Sequence, residues 1–370
     1  MLKSLDYVSQ IKPYVPGKPI SELERELGIT GSIKLASNEN PLGPSKKALR
    51  AIKNFLKNSS EVGRYPDGGG YYLKQALAER LSTSKILITI DNIILGNGSN
   101  ELIDLAVRTY MSHGDEAIMA NPSFVVYSMA VKSVGSKAIE VPLIDYKHDL
   151  KKMLDMVTDK TKIVFIANPN NPTGTINTKE EFRSFMKKLP MDILVIVDEA
   201  YIEYVESKDY PNTMKYLADG RNILILRTFS KAYGLAGLRI GYGISNADII
   251  TEINKIREPF NTNSLSQISA IEALKDKVHL KKSLKLVNEG KAYLYEELHK
   301  MNVRYIPSET NFIYILLESS SMEYYERLLK EGIIIRPVGP KEIRVTVGLK
   351  EENEKFIHAF YKIIHNKGDN

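Results

Sequence analysis

Apolar and polar positions along this chain follow two periods. Three runs are apolar at every position and rich in valine or isoleucine: Ile163 to Ala167, Ile193 to Val197 and Ile223 to Leu226. A strand with no polar face is one covered on both sides, as in a parallel sheet under helices. Shorter runs at Glu116 to Ala120 and Ala138 to Val141 precede them, and Asp91 to Leu95 reads as a strand leading into the glycine turn Gly96 to Asn100 and a helix. Amphipathic stretches at helical spacing, such as Lys179 to Leu189, lie between the runs. Strand and helix in alternation predict an α/β fold with a mostly parallel sheet.

The pattern changes past Tyr242. Long helices are expected over Ala247 to Arg257, Ser266 to Ala273 and Lys281 to Lys300. Two short strands, Asn311 to Leu317 and Ile343 to Val347, flank a helix and the segment GIIIRPVGP. This predicts a second, smaller α+β lobe to which the N-terminal arm returns. The expected division is therefore an arm with part of the small lobe (residues 1–37), a large domain (38–245) and a small C-terminal domain (246–370). Within the arm, Pro13, Pro16 and Pro19 enforce an extended path, and Ser21 with Glu24 three residues on predicts a capping box for a short helix. A helix is expected from Ser45 to Leu56, and the glycines Gly68 to Gly70 make a turn before another.

Composition narrows the class. The chain has 370 residues, 43% of them hydrophobic and 26% charged, as in a soluble globular protein. It has no cysteine, which excludes disulfides, thiolate metal sites and cysteine nucleophiles, and no metal is expected. A net charge of +6 and a pI near 9.0 raise the question of nucleic acid. Yet basic and acidic residues are interleaved, as in SELERELG and TKEEFRSFMKK, and no basic arm exists. The surface suits anionic metabolites rather than nucleic acid. MLKSLDYVSQ lacks the apolar core of a signal peptide, and no apolar run approaches the ~20 residues of a membrane helix. No membrane partner is expected, and the expected location is the cytoplasm.

The polar segments after the three buried runs carry the chemistry. After the first comes NPNNPTG with Asn168 and Asn171; after the second, Asp198-Glu199-Ala200-Tyr201; after the third, TFSKAYGLAGLRIG with Lys231 at its centre. Ligands of an open parallel sheet sit at the carboxyl ends of its strands, so these groups should converge on one crevice. Lys231, with Thr228 and Ser230 before it and Arg239 after it, suits an imine with an aldehyde that carries a phosphate. Pyridoxal 5'-phosphate is such a molecule, and each of its handles has a partner here. Asp198 would keep the pyridine nitrogen protonated. Asn171 and Tyr201 would donate to the phenolic oxygen, and Phe124 of NPSFVVY would cover the ring. Thr228, Ser230, Arg239 and the turn at Ser99 and Asn100 would hold the phosphate. Taken singly, Asp198 could cap a helix, Tyr201 could be core, Arg239 could form an ion pair and Asn171 an Asx turn. Their joint occurrence, one set per strand, is the signal that points to the cofactor.

The segments SNENPLGPS, RYPDGGG, GNGSNELI, NPNNPTG, VDEAY, RTFSKAYGLAGLRIGY, PFNTNSLSQ and IRVTVG resemble those of the fold-type I pyridoxal-phosphate aminotransferases, most closely the histidinol-phosphate aminotransferases. The resemblance spans nearly the whole chain. It implies a large domain with a mostly parallel seven-stranded sheet between helices and a smaller α+β domain. It implies that Lys231 carries the cofactor and shuttles the proton, and that Tyr65 reaches the phosphate of a neighbouring subunit in a homodimer. Arg336 and Arg344 would bind the anionic end of the substrate, with Tyr14 closing over it and Asn40 also in the substrate site. The implied reaction is a ping-pong transamination of histidinol phosphate with 2-oxoglutarate, giving imidazole acetol phosphate and glutamate, a step of histidine biosynthesis. An aromatic-amino-acid aminotransferase or a threonine-phosphate decarboxylase of the same fold would share the cofactor residues. A binding protein without turnover would not need Lys231, Asp198, Tyr201 and Arg239 together.

Overall fold

The computed structural model describes residues 2–57 and 59–365; Met1 and residues 366–370, at the outer ends of the expected first and last segments, lie outside them. In chain order the strands are β1 (Ile33–Lys34), β2 (Ile93–Gly96), β3 (Glu116–Asn121), β4 (Lys137–Pro142), β5 (Thr161–Ala167), β6 (Leu194–Asp198) and β7 (Ile223–Thr228). They continue with β8 (Gly241–Ile244), β9 (Tyr305–Ile306), β10 (Phe312–Leu316), β11 (Ile333–Ile334), β12 (Arg336–Gly339) and β13 (Glu342–Thr346). Seven of them form the large sheet in the order β2-β8-β7-β6-β5-β3-β4. Only β8 runs antiparallel to its neighbours.

The apolar runs become strands because both of their faces are used. In β6, Val195 and Val197 enter the core on one side of the sheet, whereas Leu194 and Ile196 enter the core on the other. β7 repeats this with Ile223 and Ile225 against Leu224 and Leu226. Helices Lys179–Lys188 and Ser264–Lys275 cover the first face, and Ser99–Tyr110, Val126–Ser133 and Ala247–Asn254 the second. The small lobe is the antiparallel sheet β12-β13-β10-β9 with its own core, built on Phe312, Ile315, Val345 and Phe356. The N-terminal arm does return to it: β1 pairs in parallel with β11, Ile33 opposite Ile333.

Three features differ from the pattern-based expectation. Strand β8, GYGI, has no apolar run because Gly241 passes under the start of helix Ser99–Tyr110; a Cβ there would lie 2.5 Å from the Ser99 backbone nitrogen. The large domain does not end at residue 245. Ile249, Ile250 and Ile253 belong to one large-sheet core and Ala270, Ala273 and Leu274 to the other, and the chain crosses to the small core only along helix Lys277–Lys300, through Val287, Leu294 and Leu298. The expected capping box at Ser21 is absent. The helix begins at Ile20, after Pro19, with no side-chain cap, and Glu24 instead accepts a hydrogen bond from the Ser32 backbone nitrogen at 2.9 Å. Pro19 stands at the N-cap, extended at φ −66° and ψ 145°, and has no side-chain oxygen to accept from the first-turn N–H groups.

The lobes meet tightly at Gly174. Its carbonyl accepts from the Glu309 backbone nitrogen at 2.8 Å, its φ is +77°, and a Cβ there would lie 2.2 Å from Ser308 Oγ. Gly174→Ala should therefore cost about 2–5 kcal/mol, left-handed strain plus overpacking. Gly220→Ala, at φ +72° in open space, carries only the backbone penalty, about 1–2 kcal/mol. Urea midpoints of the two variants check this; equal shifts would show that the contact at Ser308 does not matter.

Candidate active site

A pocket opens where β5, β6 and β7 end. The strands are in register, Ala167 opposite Asp198 and Asp198 opposite Leu226, so the segments that follow them emerge side by side. Strand parity then assigns faces. Asp198 and Thr228 continue the positions of Ile196 and Leu226 and point to the side of helices Ser99–Tyr110 and Val126–Ser133. Glu199 points away and is consumed in a buried cluster with Arg227 Nη2 at 2.8 Å, Arg227 Nε at 2.9 Å and Thr213 Oγ1 at 2.6 Å.

The pocket is lined by Tyr14, Ser99, Asn100, Phe124, Asn171, Asp198, Tyr201, Thr228, Ser230, Lys231, Arg239, Arg336 and Arg344, all expected from the sequence. Two expected residues are elsewhere. Asn40 is not on the wall: its side chain donates to the Ala232 carbonyl and Ser283 Oγ, each at 2.9 Å, and accepts from the Leu42 nitrogen. Asn38 takes the place at the wall and donates to Tyr201 Oη at 2.8 Å. Tyr65 is 81% exposed and stacks on Phe260 at 4.6 Å, outside this chain's pocket. Sequence reasoning also missed Tyr127, which donates to Asp198 Oδ2 at 2.8 Å. Its third place after Phe124 at the start of a helix was the available signal.

Lys231 Nζ donates to the Ser37 carbonyl at 3.1 Å and lies 5.8 Å from the centre of the Tyr201 ring. Burial, with the Arg344 and Arg239 cations adding to it, lowers its pKa to about 8. Burial raises the pKa of Asp198, opposed by the hydrogen bonds from Tyr127 and the Ala200 backbone nitrogen. No ion pair occupies Asp198 among the described residues. Tyr201 is pushed up to about 12 by burial, which keeps it a phenol and a donor.

On the opposite wall Arg336 and Arg344 are cross-strand partners of β12 and β13. Like charges at paired positions repel. Arg344 Nη1 donates to Asn171 Oδ1 at 2.6 Å, its Nη2 to the Ala36 carbonyl, while its Nε is buried without a partner. Arg336 Nη1 holds the Val15 carbonyl at 2.8 Å, and its guanidinium lies 5.5 Å from the centre of the Tyr14 ring. No carboxylate neutralises either arginine among the described residues, so this wall suits an anion.

These features fit pyridoxal phosphate. Gly98 and Gly241 keep a cradle open, since a Cβ at Gly98 would stand 2.2 Å from Arg239 Nη2 and one at Gly241 would press on Ser99. Arg239 itself adopts φ +55°, a left-handed conformation that costs a residue with a Cβ roughly 1–2 kcal/mol and turns its side chain back towards Ser230. A buried carboxylate without a cation, an amine of lowered pKa and an arginine-rich cradle match a pyridinium, an aldehyde and a phosphate.

The amine yields a pH prediction. Below pH 8 Lys231 is an ammonium and not nucleophilic; above it the free amine dominates. Reductive labelling of cofactor-free protein with a simple aldehyde should therefore modify Lys231 about tenfold faster per pH unit up to about pH 8 and then level off. Peptide mass spectrometry reads the yield, and a rate that levels off only near 10.5, the ordinary lysine value, would contradict the lowered pKa.

A model of the aminotransferase class I and II family matches residues 30–360. The histidinol-phosphate aminotransferase of Moorella thermoacetica is 45% identical over 367 residues, covering 98% of this chain and 93% of that protein. Histidinol-phosphate aminotransferase 2 of Hydrogenovibrio crunogenus is 46% identical over 365 residues, covering 97% and 96%. Among solved structures, the histidinol-phosphate aminotransferase of Sinorhizobium meliloti in complex with pyridoxal-5'-phosphate superposes with a TM-score of 0.89 at 28% identity, covering 100% of this chain and 99% of that one. With sequence, fold and pocket in agreement from end to end, the chain belongs to the aminotransferase class I and II family.

Proposed function

We propose that this protein transfers the amino group of L-histidinol phosphate to 2-oxoglutarate with pyridoxal 5'-phosphate, the transamination step of histidine biosynthesis. The observation that carries the substrate is the paired Arg336 and Arg344 on a wall without a carboxylate. A guanidinium fork accepts a phosphate monoester and a carboxylate alike, so one wall serves both half-reactions. The names of the relatives favour this donor over the aromatic-amino-acid and threonine-phosphate alternatives.

The cofactor, when bound, supplies an aldehyde to take up the amine and a protonated ring to hold an electron pair. Lys231 Nζ is the base that removes the α-proton and returns it, because its pKa of about 8 leaves a usable fraction of free amine near neutrality. Asp198 would face the ring nitrogen and hold its proton. Asn171 and Tyr201 would orient the phenolic oxygen, and Phe124 would cover the ring face. Ser99, Asn100, Thr228, Ser230 and Arg239, which line the same pocket, would hold the phosphate. Tyr14, half exposed over Arg336, closes on the bound anion and excludes water.

The same reading includes a homodimer in which Tyr65 contacts the partner's phosphate, supported by the exposure of Tyr65 and Phe260 at 81% and 44%. It places the enzyme in the cytoplasm, in keeping with a chain free of cysteine.

Purified protein should be yellow, and borohydride should fix the cofactor to Lys231. Lys231→Ala should lose transamination by at least about a thousandfold, as removal of a covalent catalytic group does; full activity in that variant would refute the assignment. Comparison of kcat/KM for histidinol phosphate, phenylalanine and tyrosine should favour the phosphate ester, and equal values would refute the donor.

A further inference from the structure

Helix Val126–Ser133 brings Tyr127 against the end of β6. The side chain is 1% exposed, and its only polar atom is aimed at Asp198, with Oη donating to Oδ2 at 2.8 Å. The other carboxylate oxygen accepts from the Ala200 backbone nitrogen at 3.1 Å. The Tyr127 ring is stacked on Phe165 of β5, centres 4.8 Å apart and planes 11° apart, and meets Phe124 edge-on at 5.6 Å. One residue thus touches the carboxylate, the aromatic cover and the sheet.

We propose that Tyr127 is a positioning residue for the transamination: its hydroxyl orients the Asp198 carboxylate towards the ring nitrogen of the cofactor, and its ring sets the plane of Phe124. The proposal rests on the cofactor reading above. A hydroxyl on Oδ2 and a backbone N–H on Oδ1 fix the carboxylate plane, which two rotatable bonds would otherwise leave free. The geometry also favours the charged form of Asp198, because both partners donate. The other groups facing Asp198 leave that task to Tyr127. Glu199 is tied to Arg227, the Tyr201 hydroxyl accepts from Asn38 Nδ2 at 2.8 Å, Tyr210 bonds to the Asn168 carbonyl and to Glu199, and Lys231 bonds to the Ser37 carbonyl. Parity explains why Tyr127 was available. Asp198 lies on the sheet face that Leu194 and Ile196 share with Tyr127 and Phe165, whereas Glu199 lies on the opposite face.

Tyr127→Phe removes one oxygen and keeps the stack on Phe165. Without the donor, Asp198 holds its own proton more tightly as pH falls, and that proton must leave before the carboxylate can pair with a protonated ring. Titration of cofactor-free protein with pyridoxal 5'-phosphate, followed by visible absorbance between pH 6 and pH 9, should show roughly ten- to hundredfold weaker binding in the variant at the acid end and convergence with wild type at the alkaline end. The pH midpoint of the absorbance band of the bound cofactor should shift as well. In the loaded enzyme kcat should fall while KM for the amino donor changes little, since Arg336 and Arg344 are untouched. Phe165→Leu loosens the stack without removing the hydroxyl; it should lower the melting temperature and keep the wild-type pH dependence. A Tyr127→Phe protein that binds the cofactor like wild type at every pH would overturn the proposal, as would the same pH shift in Phe165→Leu. Wild-type protein that takes up no cofactor would overturn the cofactor reading along with it, whereas normal wild-type uptake with an unaffected variant would overturn only the role of Tyr127.

Discussion

The parallel register of β5, β6 and β7 is the constraint on which the site depends. Backbone hydrogen bonds set Ala167, Asp198 and Leu226 level with one another, so three loops leave the sheet at one height. The alternation of side chains then sorts the residues without further instruction. Asp198 and Thr228 fall on one face, where two helix N-termini wait, and Glu199 falls on the other, where Arg227 neutralises it. A slip of one residue in β6 would exchange Asp198 for Glu199 and turn Asp198 away from the pocket.

Burial is what makes these groups reactive, and it is unfavourable for the protein alone. Desolvation brings the amine of Lys231 towards neutrality and opposes ionisation of Asp198. The protein accepts the cost in a pocket that a charged ligand completes. The Glu199–Arg227 pair just behind it is different in kind, because its charges are matched internally and hydrogen-bonded on both sides. Such a pair contributes little net stability relative to apolar residues but becomes costly when broken.

Much of this was legible in the sequence, and the rest was hidden for specific reasons. Runs such as ILVIV signal strands covered on both faces, and the polar residues that come after them stand at the strand ends, so Asp198, Asn171 and Lys231 could be read directly. Asn38 and Asn40 could not be told apart. They occupy alternate positions of one loop, and it is the left-handed φ of +56° at Asn38, invisible in the composition, that accompanies its contact with Tyr201. Tyr127 was concealed because it stands in an apolar segment, NPSFVVY, where an aromatic reads as core; it is core, with one polar atom in use. Strand β8 escaped because glycine, the residue its crowded path requires, carries no hydrophobic signal. The domain boundary failed because periodicity identifies helices but not the sheet on which they pack.

The path of β8 has a consequence for when the protein acquires its parts. The carbonyl of Asn97 and the guanidinium of Arg239 meet across 142 residues of chain, and only after β8 has paired with β2 is the cradle closed. At roughly 5–20 residues per second, that closure trails the synthesis of the first half of the seat by many seconds. The cradle is complete in chain order at Gly241, whereas the cross-strand pair Arg336 and Arg344 emerges about a hundred residues later, and β1 waits for β11 across the same interval and more. The nascent chain therefore contains the glycine cradle and Arg239 well before it contains Arg336 and Arg344, an order written into the topology rather than into the chemistry.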